Sequence, residues 1–98
     1  MWIDSHCHLD ASEFAGTSLQ LADAAVALDV QAIVIPAVHA SLFAQVEQLA
    51  LAHPACVFSL GIHPMFVPTS DESDLQKLRV RIAQLMAQDS ETQLAKNW

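Results

Sequence analysis

Ala32-Ile33-Val34-Ile35, closed by Pro36, is a continuous apolar run rich in β-branched side chains. A run without alternation suits a strand covered on both faces, and such strands belong to parallel sheets layered with helices. Outward from it, the chain changes period. On the amino side, Ser18 to Asp29 places Leu21, Ala25 and Leu28 on one face of a helix. On the carboxyl side, a second helix runs from about Ser41, a suitable N-cap, to His53. Phe43, Val46 and Ala50 form its stripe, and Pro54 stops it. Trp2 to Leu9 and Cys56 to Gly61 read as strands, and Ile62 to Ser70, with two prolines, as a loop. Thr69 and Glu72 then have capping-box spacing ahead of a third helix carrying Leu75, Leu78, Ile82, Leu85 and Met86. The tail from Gln88 to Trp98 is polar and weakly helical. The order is βαβαβα, an α/β class. Strands joined through helices run parallel with right-handed crossovers, and ligands gather beyond their carboxyl ends.

The chemistry is densest in the first strand, Asp4-Ser5-His6-Cys7-His8-Leu9-Asp10. Alternation puts Asp4, His6 and His8 on one face and Ile3, Cys7 and Leu9 on the other. Two imidazoles about 6–7 Å apart in Cα position and pointing the same way can grip one divalent ion, with Asp4 orienting a ligand from behind. An isolated H-x-H is weak; two histidines and an acid on one face of an otherwise apolar strand are more specific, because unpaired polar groups are costly there. Cys7 faces away from that ion and reads as core. His63, in Gly61-Ile62-His63-Pro64, falls at the same end as His6 and His8, where it can donate to a substrate oxygen. Alone, it would read as a loop histidine held by Pro64. His39 and His53 read as structural, His53 at a helix carboxyl end.

Composition bounds the rest. The chain has 98 residues, enough for one small domain. Hydrophobic residues make up 53% and charged residues only 15%, which excludes a disordered chain. Eleven acidic against four basic side chains, a net charge of −7, argue against a basic patch for nucleic acid or anionic membrane. Contact with a phosphate then needs a metal ion or a local cluster of donors. No apolar run approaches the ~18 residues that span a bilayer. The start carries no secretory pattern, and the two cysteines are expected as reduced thiols, which points to the cytoplasm. There is no glycine-rich phosphate loop, no C-x-x-C pair and no serine nucleophile elbow.

The strings Ile3-Asp4-Ser5-His6-Cys7-His8-Leu9-Asp10, Ile33-Val34-Ile35-Pro36-Ala37 and Ser59-Leu60-Gly61-Ile62-His63-Pro64 resemble the opening of TatD-type metal-dependent hydrolases. The resemblance covers about residues 2 to 86 and implies a (β/α)₈ barrel of deoxyribonucleases or related phosphoesterases. It implies that His6 and His8 bind one divalent metal (zinc, manganese or magnesium) and that His63 lies near a substrate phosphate. Histidine ligands favour zinc, whereas manganese and magnesium prefer oxygen. It also exposes departures. The family's metal-bridging glutamate stands in a G-E-I-G-L-D-like string on a fourth strand, and no glycine follows Gly61 here. Its later histidine and aspartate ligands have no counterpart. A barrel of this kind takes about 250 residues, so residues 1–98 read as a single amino-terminal portion, three units of eight, with no catalytic residue of its own.

Two readings compete. One is a divalent-metal phosphodiesterase acting on DNA or a small phosphoester, of which this is the first part. The other is a catalytically incomplete fragment that at most binds a metal or self-associates through open sheet edges. Within the enzyme class, another amidohydrolase-like metal hydrolase stays open, since H-x-H on a first barrel strand also serves deaminases and lactonases. Gly61-Ile62-His63-Pro64 tips that choice toward the TatD type.

Overall fold

The computed structural model describes residues 1–96, and the surroundings of side chains through residue 88. Three strands, β1 (Trp2–Asp4), β2 (Val30–Pro36) and β3 (Cys56–Ser59), alternate with three helices, α1 (Ser18–Ala27), α2 (Phe43–Ala52) and α3 (Glu72–Lys96). The sheet is parallel with order β1-β2-β3. The expected βαβαβα alternation is what forms.

β2 is central because it has a partner on each side. Asp4 pairs with Ile33 on one edge, while Ile33, Val34 and Ile35 pair with Cys56, Val57 and Phe58 on the other. Its alternate residues Ile33 and Ile35, and Ala37 just past its end, are buried with Leu9, Ala22, Phe43, Val46 and Cys56 in one cluster. Val34 on the opposite face is only half-buried, so β2 is covered fully on its helix side alone. The outer strand β1 is exposed throughout, with Trp2 at 70% and Ile3 at 61%. Ile3 is therefore not part of the covered apolar face that alternation assigned to it, because no strand or helix lies beyond this edge among the described residues.

Several boundaries differ from the pattern-based ones, each for a local reason. β1 stops at Asp4 rather than Leu9. The Asp4 carboxylate accepts the His6 N–H at 3.2 Å, a side-chain hydrogen bond that competes with the ladder. One further link to β2 survives, from Cys7 N–H to Val34 O at 3.0 Å. α1 ends at Ala27 because Asp29 adopts φ +71°, the left-handed cap that aspartate tolerates. Its buried residue is Ala22, while Leu21 and Leu28 face solvent, so the covered stripe is rotated from the Leu21-Ala25-Leu28 line.

Before α2, Ser41 is not the N-cap. A 3₁₀ turn, Ala40–Leu42, comes first, capped by the His39 ring, whose Nδ1 accepts the Ser41 N–H at 3.2 Å. The loop after β3 contains another 3₁₀ stretch, Pro64–Thr69. The capping box of α3 belongs to Asp71 and Asp74, not Thr69 and Glu72. Asp71 Oδ1 accepts the Asp74 N–H at 3.1 Å, and Asp74 Oδ2 accepts the Asp71 N–H at 3.0 Å.

α3 holds to the rest mainly by polar contacts. Leu78 packs on the core, but Leu75, Ile82 and Met86 of the same stripe are exposed. Arg81 clasps the buried Glu47 of α2 with two nitrogens, and Glu47 in turn raises the guanidinium pKa. Helix continues through the polar tail to Lys96. Asn97 and Trp98, the end of the tail read as weakly helical, lie outside the described residues.

Candidate metal site

His6 and His8 sit just past the carboxyl end of β1, both exposed. Their rings meet edge-on with centroids 4.8 Å apart, and the two Nε2 atoms stand 3.1 Å from each other. At that spacing at most one of the two nitrogens carries a proton, so at least one of them has a lone pair, directed toward its partner. Nitrogens this close could both serve one divalent ion, whose bonds to histidine nitrogen are about 2.0–2.1 Å for zinc. The donor set thus fits a divalent ion as two ligands of a larger set. Among the described residues, no group of three or more histidine, cysteine or acidic side chains could hold a metal.

The neighbours define what the pair lacks. Asp4 reaches the His6 backbone rather than its ring. Burial, then the Asp4 and Asp10 carboxylates, push the Cys7 thiol up. Burial, then Cys7, raises Cys56 as well; both cysteines are free. Asp10 Oδ1 is buried without a hydrogen-bond partner among the described residues. A carboxylate oxygen left so is costly and suits a cationic neighbour.

His63 follows β3 at the same end of the sheet and is exposed. Its Nδ1 accepts the Met65 N–H at 3.0 Å, capping the 3₁₀ stretch. The neutral ring therefore carries its proton on Nε2 and can donate it outward. His39 lies on the neighbouring loop, where Val38 O accepts the His63 N–H at 2.8 Å. Its ring packs on Phe66 with centroids 5.7 Å apart, and its Nε2 stands 3.9 Å from the nearly buried Asp74. Asp74 lies 35 residues beyond His39 in the chain, so local spacing carries no sign of the pair. His53 is at the opposite end, buried, with Nε2 2.8 Å from Asp23 Oδ1 and Nδ1 accepting the Ala55 N–H. A groove of about 780 Å³ between α2 and α3, lined by Phe43, Glu47, Leu51, Val80 and Arg81, contains no histidine.

Comparison with known proteins identifies the family. A family model described as TatD related DNase matches residues 3–92. The chain is 32% identical over 78 residues to "Uncharacterized metal-dependent hydrolase YjjV" of Escherichia coli K12, covering 80% of this chain and 30% of that protein. It is 37% identical over 81 residues to "Putative deoxyribonuclease tatdn3" of Danio rerio, covering 82% and 29% respectively. The crystal structure of YjjV, a TatD homologue from E. coli, superposes with a TM-score of 0.80 at 30% identity, over 85% of this chain and 32% of that one. The chain spans about 30% of the length of these relatives. The open three-stranded sheet is thus part of the barrel fold of that homologue. A match over residues 3–92 is nearly the whole sequence: this chain belongs to the family of TatD-related, metal-dependent hydrolases.

Proposed function

We propose that this chain supplies the first two metal ligands and one phosphate contact of a divalent-metal phosphodiesterase acting on DNA. The observation that carries the reading is the 3.1 Å approach of the His6 and His8 Nε2 atoms beyond the carboxyl end of β1. His6 and His8 would hold the ion, zinc being favoured by their nitrogen donors over manganese or magnesium. When bound, a divalent ion activates water and neutralises charge on the scissile phosphate. This lessens the repulsion between an anionic substrate and a chain of net charge −7. His63 donates from Nε2 to a phosphate oxygen, its tautomer held by the Met65 N–H. Asp4 accepts the His6 backbone N–H at 3.2 Å just ahead of the pair. The two free thiols support a cytoplasmic setting. No described helix is long and apolar enough to cross a membrane.

Calorimetric titration of zinc into the wild type and a His6→Ala/His8→Ala double variant tests the site. We expect binding by the first and none by the second; equal binding would overturn the assignment.

A second reading, that these residues alone are catalytically incomplete, is favoured by the lack of a third ligand among the described residues. Rigorously purified chain is then expected to leave single-stranded DNA intact with zinc, manganese or magnesium present. Robust metal-dependent degradation would sink this reading. The exposed Trp2 and Ile3 edge supports self-association on the same reading. Sedimentation over a concentration series checks that, with a monomer at every concentration counting against it.

A further inference from the structure

Residues 6–10 have left the sheet, yet they are held from several directions. Asp4 Oδ1 accepts the His6 N–H, Val34 O accepts the Cys7 N–H, and His8 O accepts the Ala11 N–H. The next two carbonyls are taken by side chains on two different helices. Ser18 Oγ, at the start of α1, donates to Leu9 O at 2.7 Å and also approaches Phe14 O at 3.3 Å. Gln45 Nε2, on α2 and 35 residues away in sequence, donates to Asp10 O at 2.9 Å. Between these two anchors, the Leu9 side chain is buried in the core.

We infer that Ser18 and Gln45 are positioning residues for the His6–His8 pair: by holding consecutive carbonyls just after His8, they set the direction of the chain and keep the two rings converged. The inference rests on the proposed metal role of that pair. The rings are exposed and are not fixed by packing, so the backbone beneath them must be. Gln45 is itself exposed and contributes nothing to the core. Ordering so rotamer-rich a side chain costs conformational entropy, which its hydrogen bond to the Asp10 carbonyl must offset. Because the anchors stand on α1 and α2, the loop takes its position from how both helices pack on β2. The backbone anchors at Cys7 and Ala11 are independent of side-chain identity. Ser18 and Gln45 are the ones that sequence can change.

The test uses the whole chain labelled with ¹⁵N-histidine, with two readouts: ring-nitrogen spectra without metal, and zinc affinity. In the wild type, the His6 and His8 Nε2 signals are expected to report a shared proton. In Gln45→Ala they are expected to drift toward freely exchanging values while the His53 signals, which report the fold, stay in place. Zinc affinity should fall about tenfold, as it does when groups supporting metal ligands are removed. Gln45→Glu, which cannot donate, should match Gln45→Ala. Ser18→Ala should show the same loss, and Ser18→Thr, which keeps the hydroxyl, should restore it. Unchanged ring signals in both Gln45 variants would overturn the inference. If Ser18→Ala disturbs His53, the Gln45 variants decide. A wild type with coupled rings that takes no zinc would refute the metal reading, while the ring spectra would still judge the positioning.

Discussion

At the amino end of the sheet His53 is buried, with one ring nitrogen on Asp23 and the other accepting the Ala55 N–H. At the carboxyl end, His6 and His8 are exposed, and their nearest ring-nitrogen partners are each other. The same side chain serves two ends of one parallel sheet in opposite ways. His53 ties α1 to the turn before β3, so both of its nitrogens are occupied in holding structure. His39 and His63 are intermediate cases. Each uses Nδ1 to accept the N–H two residues on, and His63 leaves Nε2 directed outward. On the proposed reading, chemistry at the carboxyl end would use imidazole nitrogens that hold no other element, while the amino end uses both nitrogens of His53 to hold structure.

The sharpest way to break this contrast is zinc-linked stability. With free zinc at 100 times its Kd, the wild type should gain about 2.7 kcal/mol in denaturant unfolding, because only the folded pair binds. His6→Ala/His8→Ala should lose that gain and keep the metal-free midpoint. A double variant that still gains stability from zinc would place the metal elsewhere.

His53→Ala should do the reverse. Removing a buried, doubly hydrogen-bonded ring is expected to lower stability by about 1–3 kcal/mol, with zinc affinity unchanged in isothermal titration. Loss of zinc binding in this variant would mean that the two ends are coupled.

The smallest effect belongs to the cap of α3. The Ser73 hydroxyl, then the Asp74 N–H, hold the Asp71 carboxyl below its ordinary value near 3.8. A group with a depressed folded value contributes stability above the unfolded one and loses it as pH falls through the folded one. Far-ultraviolet circular dichroism should therefore show helix loss below about pH 4, less steep in Asp71→Asn. Zinc binding near neutral pH should be the same in both. An identical acid limb in the variant would remove Asp71 from the account.

Much of this molecule is readable from residues alone. The βαβαβα order follows from runs such as Ala32–Ile35; His6 and His8 stand out as two imidazoles expected on one face of an otherwise apolar first strand, and His63 as falling at the same end of the sheet. The parts that escaped depend on partners far along the chain. Asp74 beside His39, Arg81 on Glu47, and Gln45 under Asp10 are each separated by more than thirty residues. Local spacing carries no mark of such pairs. The capping box was misplaced because Thr69-Ser70-Asp71 offers three possible caps, and only the path out of the 3₁₀ stretch selects Asp71.

Sequence by itself determined the alternation of strands and helices and the presence of paired imidazoles near the end of the first strand, because periodicity and residue chemistry are local. Tertiary structure alone decided that β1 ends at Asp4, that the two Nε2 atoms come within 3.1 Å, and that α3 leaves most of its apolar stripe uncovered. The first two outcomes turn on short-range hydrogen bonds, Asp4 to the His6 N–H and His6 to His8, made along a path that local spacing does not encode; the third follows from which residues of α3 reach the core.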